Sequence, residues 1–135
     1  MSPTQTAIVA LISWYVAVLL LLALFRVYTS AASRKPANTF APDGSDVPGF
    51  GQRLTRAHAN CYENIPLFVA LLLFAEVSGN TAITDPTAMW LVYARIAQSL
   101  VHIASVSVTA VLVRFLLFVV QVGLVICWIT QILWF

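Results

Sequence analysis

The sequence predicts an all-α membrane protein, a four-transmembrane-helix up-and-down bundle, and three observations predict it. Of its 135 residues, 61% are hydrophobic and only 9% charged, whereas a soluble domain carries about 25% charge. Apolar stretches of the length a helix needs to cross a bilayer, about 20 residues, recur along the chain. Lysine and arginine gather in alternate connecting stretches, as the positive-inside rule expects. Short alternating strand patterns, the mark of a membrane barrel, are absent from the sequence.

The first span is expected over about residues 7–28, ending on Arg26 and Tyr28 as an interfacial pair. Residues 1–6 lack the positive n-region of a cleaved signal peptide, so this segment is expected to remain in the mature protein. A loop follows over about 29–53, rich in proline and glycine and without an apolar stripe. A loop this long in so small a protein suggests a function of its own.

The second span is expected over about 54–77, with Pro66 inside it and Ser78-Gly79-Asn80 as its stop, Gly79 being a plausible left-handed cap. Thr84-Asp85-Pro86 reads as the start of the third span, with Thr84 or Asp85 as cap and Pro86 at the first helical position. That span is expected over about 86–109 and the fourth over about 111–135, with Arg114 near its start and Gln121 and Gln131 inside. Neither glycine nor proline marks the turn between them.

Loop one and its flanks carry Arg26, Arg34, Lys35, Arg53 and Arg56, and the third loop region carries Arg114, while the second loop holds only Glu76 and Asp85. Loops one and three are therefore expected on the cytoplasmic side and both termini on the other. The net charge of +2 is too small to suggest nucleic acid as a partner. Cys61 and Cys127 lie far apart in separate apolar stretches with no CxxC or histidine-rich neighbourhood, so neither a disulfide framework nor a metal site is indicated.

Two polar seams interrupt the apolar pattern. Arg56, Asn60 and Glu63, spaced by four and three, share one face of the second helix. Arg95, Gln98 and His102, again spaced by three and four, do so on the third. A charge at the centre of a span costs about 2.5–3.5 kcal/mol on translocon scales, so such rows turn towards protein or a polar cavity. They read either as internal ion pairs, with Glu63 or Glu76 as the acid for Arg95, or as a site for a charged, flexible molecule. In the second reading arginine holds carboxylates bidentately, Glu63 takes an ammonium and Asn60 bonds a peptide unit.

The run Arg56-Ala-His-Ala-Asn-Cys-Tyr-Glu-Asn-Ile-Pro66 closely resembles the second helix of the MAPEG family, membrane-associated proteins of eicosanoid and glutathione metabolism. Arg95-x-x-Gln98-x-x-x-His102 is similar to that family's third-helix pattern, and the resemblance covers essentially the whole chain. It implies a homotrimer of four-helix protomers that holds glutathione between neighbouring subunits. It carries Arg56, Asn60 and Glu63 over as glutathione-binding positions, with His58 and Asn64 beside them and Arg95 as a structural or site-lining arginine. Arg26 or Arg34 would match the family's first-helix arginine, and the sequence does not choose between them.

The implied activity is that of a glutathione transferase or peroxidase, with glutathione as co-substrate and an apolar electrophile or lipid hydroperoxide arriving from the bilayer. Gln98 and His102 would line the site, and Arg114 would favour the thiolate, which is the nucleophilic form. The sequence departs from the pattern at Asn64, Gln98 and His102, where members often carry aromatic or other groups. Arg114 also follows the third-helix motif later than the family's arginine does, which a few inserted residues would reconcile. The alternatives are a non-catalytic lipid-binding or scaffold protein on the same fold and, less in keeping with the charge bias, a small proton-coupled transporter using Glu63.

Overall fold

The computed structural model describes residues 1–134, and among these there is no strand. Helix α1 spans Pro3–Ser33, α2 Phe50–Val77, α3 the single turn Thr81–Thr84, α4 Ala88–Ala104 and α5 Val108–Trp134, with a 3₁₀ turn at Ala37–Thr39 in the first connection. Three of them, α1, α2 and α5, are long and apolar enough to cross a membrane. Helix α4, of 17 residues, is about 25 Å long at 1.5 Å per residue. It lies at the centre, packed against α1, α2 and α5, while α1 packs along α2.

The buried positions follow helical spacing. Leu54, Cys61, Ile65, Phe68, Leu72 and Ala75 form the inner face of α2, and Ala88, Leu91, Val92, Arg95, Gln98 and Ser99 that of α4. Helix α5 buries only Ala110, Gln121 and Trp128. A single narrow seam therefore fixes it to α4, and most of its apolar surface is left for lipid or another protein.

The helix ends explain where the boundaries depart from the expected ones. Helix α1 begins at Pro3 because Ser2 and Gln5 close a capping box, Ser2 Oγ accepting from the Gln5 amide at 3.1 Å and Gln5 Oε1 from the Ser2 amide at 3.0 Å. At its other end it continues five residues past Tyr28 and stops on Arg34, which has left-handed φ of 52°. Helix α2 starts at Phe50, four residues early, after Gly49 with φ 70°.

Its C-terminus follows the expectation for Gly79. That residue has φ 76°, its amide donates to the Glu76 carbonyl at 3.4 Å, and the Asn80 amide donates to the Ala75 carbonyl at 2.8 Å, the paired bonds of a Schellman motif. Pro66 lies within α2, which continues through it.

The start of α4 differs from the expected cap. Pro86 falls in the turn before the helix, whose first residue is Ala88 and whose N-cap is Thr87. Asp85 instead serves α1. Its Oδ1 accepts from the Thr4 amide at 2.9 Å and the Thr4 hydroxyl at 2.6 Å, which places a carboxylate at the positive end of the α1 dipole.

The turn between α4 and α5 is Ser105–Ser107. Ser107 Oγ accepts from the Ala110 amide at 3.2 Å and Ser105 Oγ from the Ser107 amide at 3.1 Å. A Ser-x-Ser pair thus performs the break that no glycine or proline supplies. Helix α4 therefore ends five residues before position 109, and Phe135, the last residue of the expected fourth span, lies outside the described residues.

Candidate functional site

One groove of about 550 Å³ opens between α2, α4 and α5. Helix α2 lends it Arg56, Ala59, Asn60 and Glu63; α4 lends Gln98 and His102; α5 lends Val111, Arg114, Phe115 and Phe118. Six of the polar residues singled out from the sequence thus meet in one place, although they come from three helices. The groove has a charged side and an apolar wall, the latter built by Val111, Phe115 and Phe118.

Arg56 and Glu63 are exposed along the groove. Among the described residues the one salt bridge is Lys35 to Asp46, at 3.0 Å, so neither Arg56, Arg114 nor Glu63 is committed to an intramolecular ion pair. The acid partner expected for Arg95 is likewise not there. Glu63 faces the groove, and Glu76 Oε1 accepts from Gln5 Nε2 at 2.6 Å.

Arg95 is fully buried behind the groove. Its Nη1 donates to Asn60 Oδ1 at 2.6 Å and its guanidinium lies 5.2 Å from the centre of the Phe68 ring. A carboxamide dipole and an aromatic face take the place of a counter-ion, and Arg95 reaches the groove only through Asn60. Ser99 sits below it, accepting from Trp14 Nε1 at 3.1 Å and donating to the Arg95 carbonyl at 3.0 Å. This joins α1 to the same polar layer.

Gln98 is 5% exposed, and its carboxamide is engaged at both ends. Nε2 donates to the Arg114 carbonyl at 3.0 Å, and Oε1 accepts from Gln121 Nε2 at 3.2 Å. Arg53, counted in the sequence only as a topological charge, donates from Nε to the Ile103 carbonyl at 2.6 Å. It thereby satisfies one of the last carbonyls of α4, beside His102.

The remaining sequence candidates lie elsewhere. His58 points to the other side of α2, where its ring stacks on Tyr15 at 5.7 Å and meets Tyr62 at 5.9 Å. It lines a second groove, of about 470 Å³, with Arg26, Phe40 and Pro42. Asn64 turns back on its own helix, donating from Nδ2 to the Asn60 carbonyl at 2.8 Å. Arg34 is exposed at the α1 C-terminus and lines neither groove. Arg26 rather than Arg34 is the first-helix arginine at a groove, its guanidinium 5.6 Å from the centre of the Phe40 ring.

Sequence reasoning missed the aromatic wall, because Phe115 and Phe118 look like any lipid-facing residues of an apolar helix. It also left Gln121 without a role. A glutamine inside an apolar span, seven residues after Arg114, was the available signal, since a polar side chain within a span needs a partner.

Compared with known proteins, residues 8–134 match the family model described as MAPEG family. No curated protein and no solved structure matches the chain.

Proposed function

Because this chain belongs to the MAPEG family and is an integral membrane protein, we propose that it binds glutathione and uses it as a transferase or peroxidase on an apolar electrophile or a lipid hydroperoxide. The observation that carries the reading is the charge complement of the groove between α2, α4 and α5. Two arginines, Arg56 and Arg114, and one carboxylate, Glu63, line a single space without pairing to one another. Glutathione presents two carboxylates, one ammonium and a thiol. Arg56 suits a carboxylate, Glu63 the ammonium and Asn60 a peptide group. Arg114, on the α5 side of the groove, would favour the sulfur as thiolate.

The chemistry then needs little more than orientation. In conjugation, a lone pair of the thiolate forms the carbon–sulfur bond while the leaving group departs with its electron pair, the thiol proton having gone to solvent. With a hydroperoxide, the sulfur attacks the terminal oxygen and the alcohol leaves after taking up a proton. A second glutathione resolves the sulfenic acid to a disulfide and water. The apolar wall of Val111, Phe115 and Phe118 would receive the hydrocarbon part of either substrate.

In this reading α4 also crosses the membrane, as the third of four spans, loops one and three face the cytoplasm and the protein is a homotrimer. A trimer would also account for His58 and Arg26, which lie on the far side of α2 from the main groove. There they could meet glutathione held by a neighbouring copy.

Calorimetry on the purified protein in detergent, with a conjugation and a hydroperoxide assay beside it, tests the proposal. Glutathione binding with glutathione-dependent turnover is expected. The absence of both binding and turnover would refute it, and glutathione-independent binding of lipid would favour a non-catalytic role instead.

A further inference from the structure

Gln98 lines the groove, yet its chemistry points away from a ligand. One amide hydrogen goes to the Arg114 carbonyl and its oxygen is taken by Gln121. Gln121 is itself fully buried and donates also to the Leu117 carbonyl, at 2.8 Å, one turn back along α5. The two carboxamides form a bridge that runs from the interior of α5, through α4, to the backbone of the residue that presents the groove's inner arginine. The Arg114 carbonyl already serves the helix ladder of α5, so the bond from Gln98 adds nothing that the helix requires. It ties the second turn of α5 to a fixed height on α4. Helix α5 otherwise has few anchors, since Ala110 and Trp128 are its only other buried residues among those described.

We propose that Gln98 and Gln121 are positioning residues that set the height and direction of Arg114 in the groove, and that Gln98 is not a ligand-binding residue. This rests on the glutathione reading for its consequence, in that the property being set is the stabilisation of the bound thiolate, but the positioning itself does not depend on any ligand. Gln121 gives the cleanest handle because it does not itself line the groove and meets it only through Gln98. An effect of Gln121 on the sulfur must travel through Gln98 and the α5 backbone.

The test compares Gln98→Leu, Gln121→Leu and the double variant in the full-length protein, with two readouts. The first is the ultraviolet absorbance of the thiolate of bound glutathione as a function of pH, alongside the glutathione Kd. Each single variant is expected to shift the thiol titration upward and lower kcat about ten- to a hundredfold, the upper figure being the scale of an ångström's misplacement. KM and Kd should stay within about twofold. The double variant should regain thermal stability, because no carboxamide is left without its partner, yet keep the catalytic defect. A defect that disappears together with the instability would reduce the bridge to a structural role and overturn the proposal. So would a raised Kd in Gln98→Leu alone, which would make Gln98 a ligand contact.

The second readout needs no glutathione. With Cys61 and Cys127 replaced by alanine, Arg114→Cys is labelled by a water-soluble thiol reagent in the wild-type, Gln98→Leu and Gln121→Leu backgrounds. A changed labelling rate in both supports positioning, and an unchanged rate in both overturns it. If glutathione binds but Arg114→Ala leaves the thiolate absorbance intact, or if glutathione does not bind at all, the functional reading fails instead. The labelling rates then decide the positioning claim alone.

Discussion

The Asn60 side-chain oxygen accepts a 2.6 Å hydrogen bond from the guanidinium of Arg95, which ties the middle of α2 to α4. It joins a residue on the rim of the groove to a cation with no access to solvent. Among the described residues the Nε and Nη2 atoms of Arg95 have no partner, so the charge depends on Asn60 and on the Phe68 ring for what stabilisation it has. Asn60→Leu is accordingly expected to cost about 3 kcal/mol or more, the scale of leaving a buried charge uncompensated. Arg95→Met, which removes the charge as well, should cost less. Denaturant unfolding in mixed micelles without ligand would measure both, and the opposite ranking would show that the bond is not what holds Arg95.

Arg56 and Arg114 should separate binding from chemistry. Arg56→Ala is expected to weaken glutathione binding by about ten- to a hundredfold, the loss of one charge-assisted pair of about 1.5–3 kcal/mol. Arg114→Ala should lower kcat by about a hundredfold, as when one stabiliser of developing or resident negative charge is removed, with a smaller change in Kd. Equal effects of Arg114→Ala on both quantities would assign it to binding.

The first connection should respond to acid. Lys35 bonds Asp46 and lies 5.3 Å from the centre of the Phe40 ring, closing the loop against the end of α1. The bond from Lys35 holds the Asp46 carboxyl below its ordinary value, and bonds from Ser45 do the same for Asp43. Both groups favour the folded loop when ionised. Their contribution is complete above the ordinary carboxylate range near pH 4 and is lost as pH falls through the lowered values. Limited proteolysis of residues 36–48 should therefore accelerate only in acid, measured with an acid-active protease, and Lys35→Met should show the fast rate already at neutral pH.

At the other end of the bundle, Asp85 holds the first turn of α1. Asp85→Ala leaves the Thr4 amide without its acceptor and strips the Thr4 hydroxyl of one of its two partners, the Thr84 hydroxyl remaining at 2.6 Å. A loss of about 1–3 kcal/mol is expected, together with faster hydrogen exchange confined to the first turn of α1. Asp85→Asn keeps an acceptor oxygen and should lose less.

Composition and spacing by themselves determined that the chain is helical and membrane-embedded, and which polar residues would leave the lipid. A bilayer punishes exposed charge so heavily that Arg56, Asn60, Glu63, Arg95, Gln98, His102 and Arg114 announce themselves in an apolar chain. The second-helix motif was specific enough to indicate the family.

Other features were decided by contacts between residues distant in sequence. Helical spacing fixes which face a residue occupies but not what that face meets. His58, only two residues from Arg56, therefore falls into a different groove, and Arg95 finds Asn60 and Phe68 instead of an acid. Helix ends depend on side-chain caps that compete with one another, so Asp85 left its own helix to cap α1, and Ser107 rather than a glycine began α5. That start sets the rotation of α5. It brings Arg114 over the groove and Gln121 against Gln98, a pairing that no spacing within one helix could have disclosed.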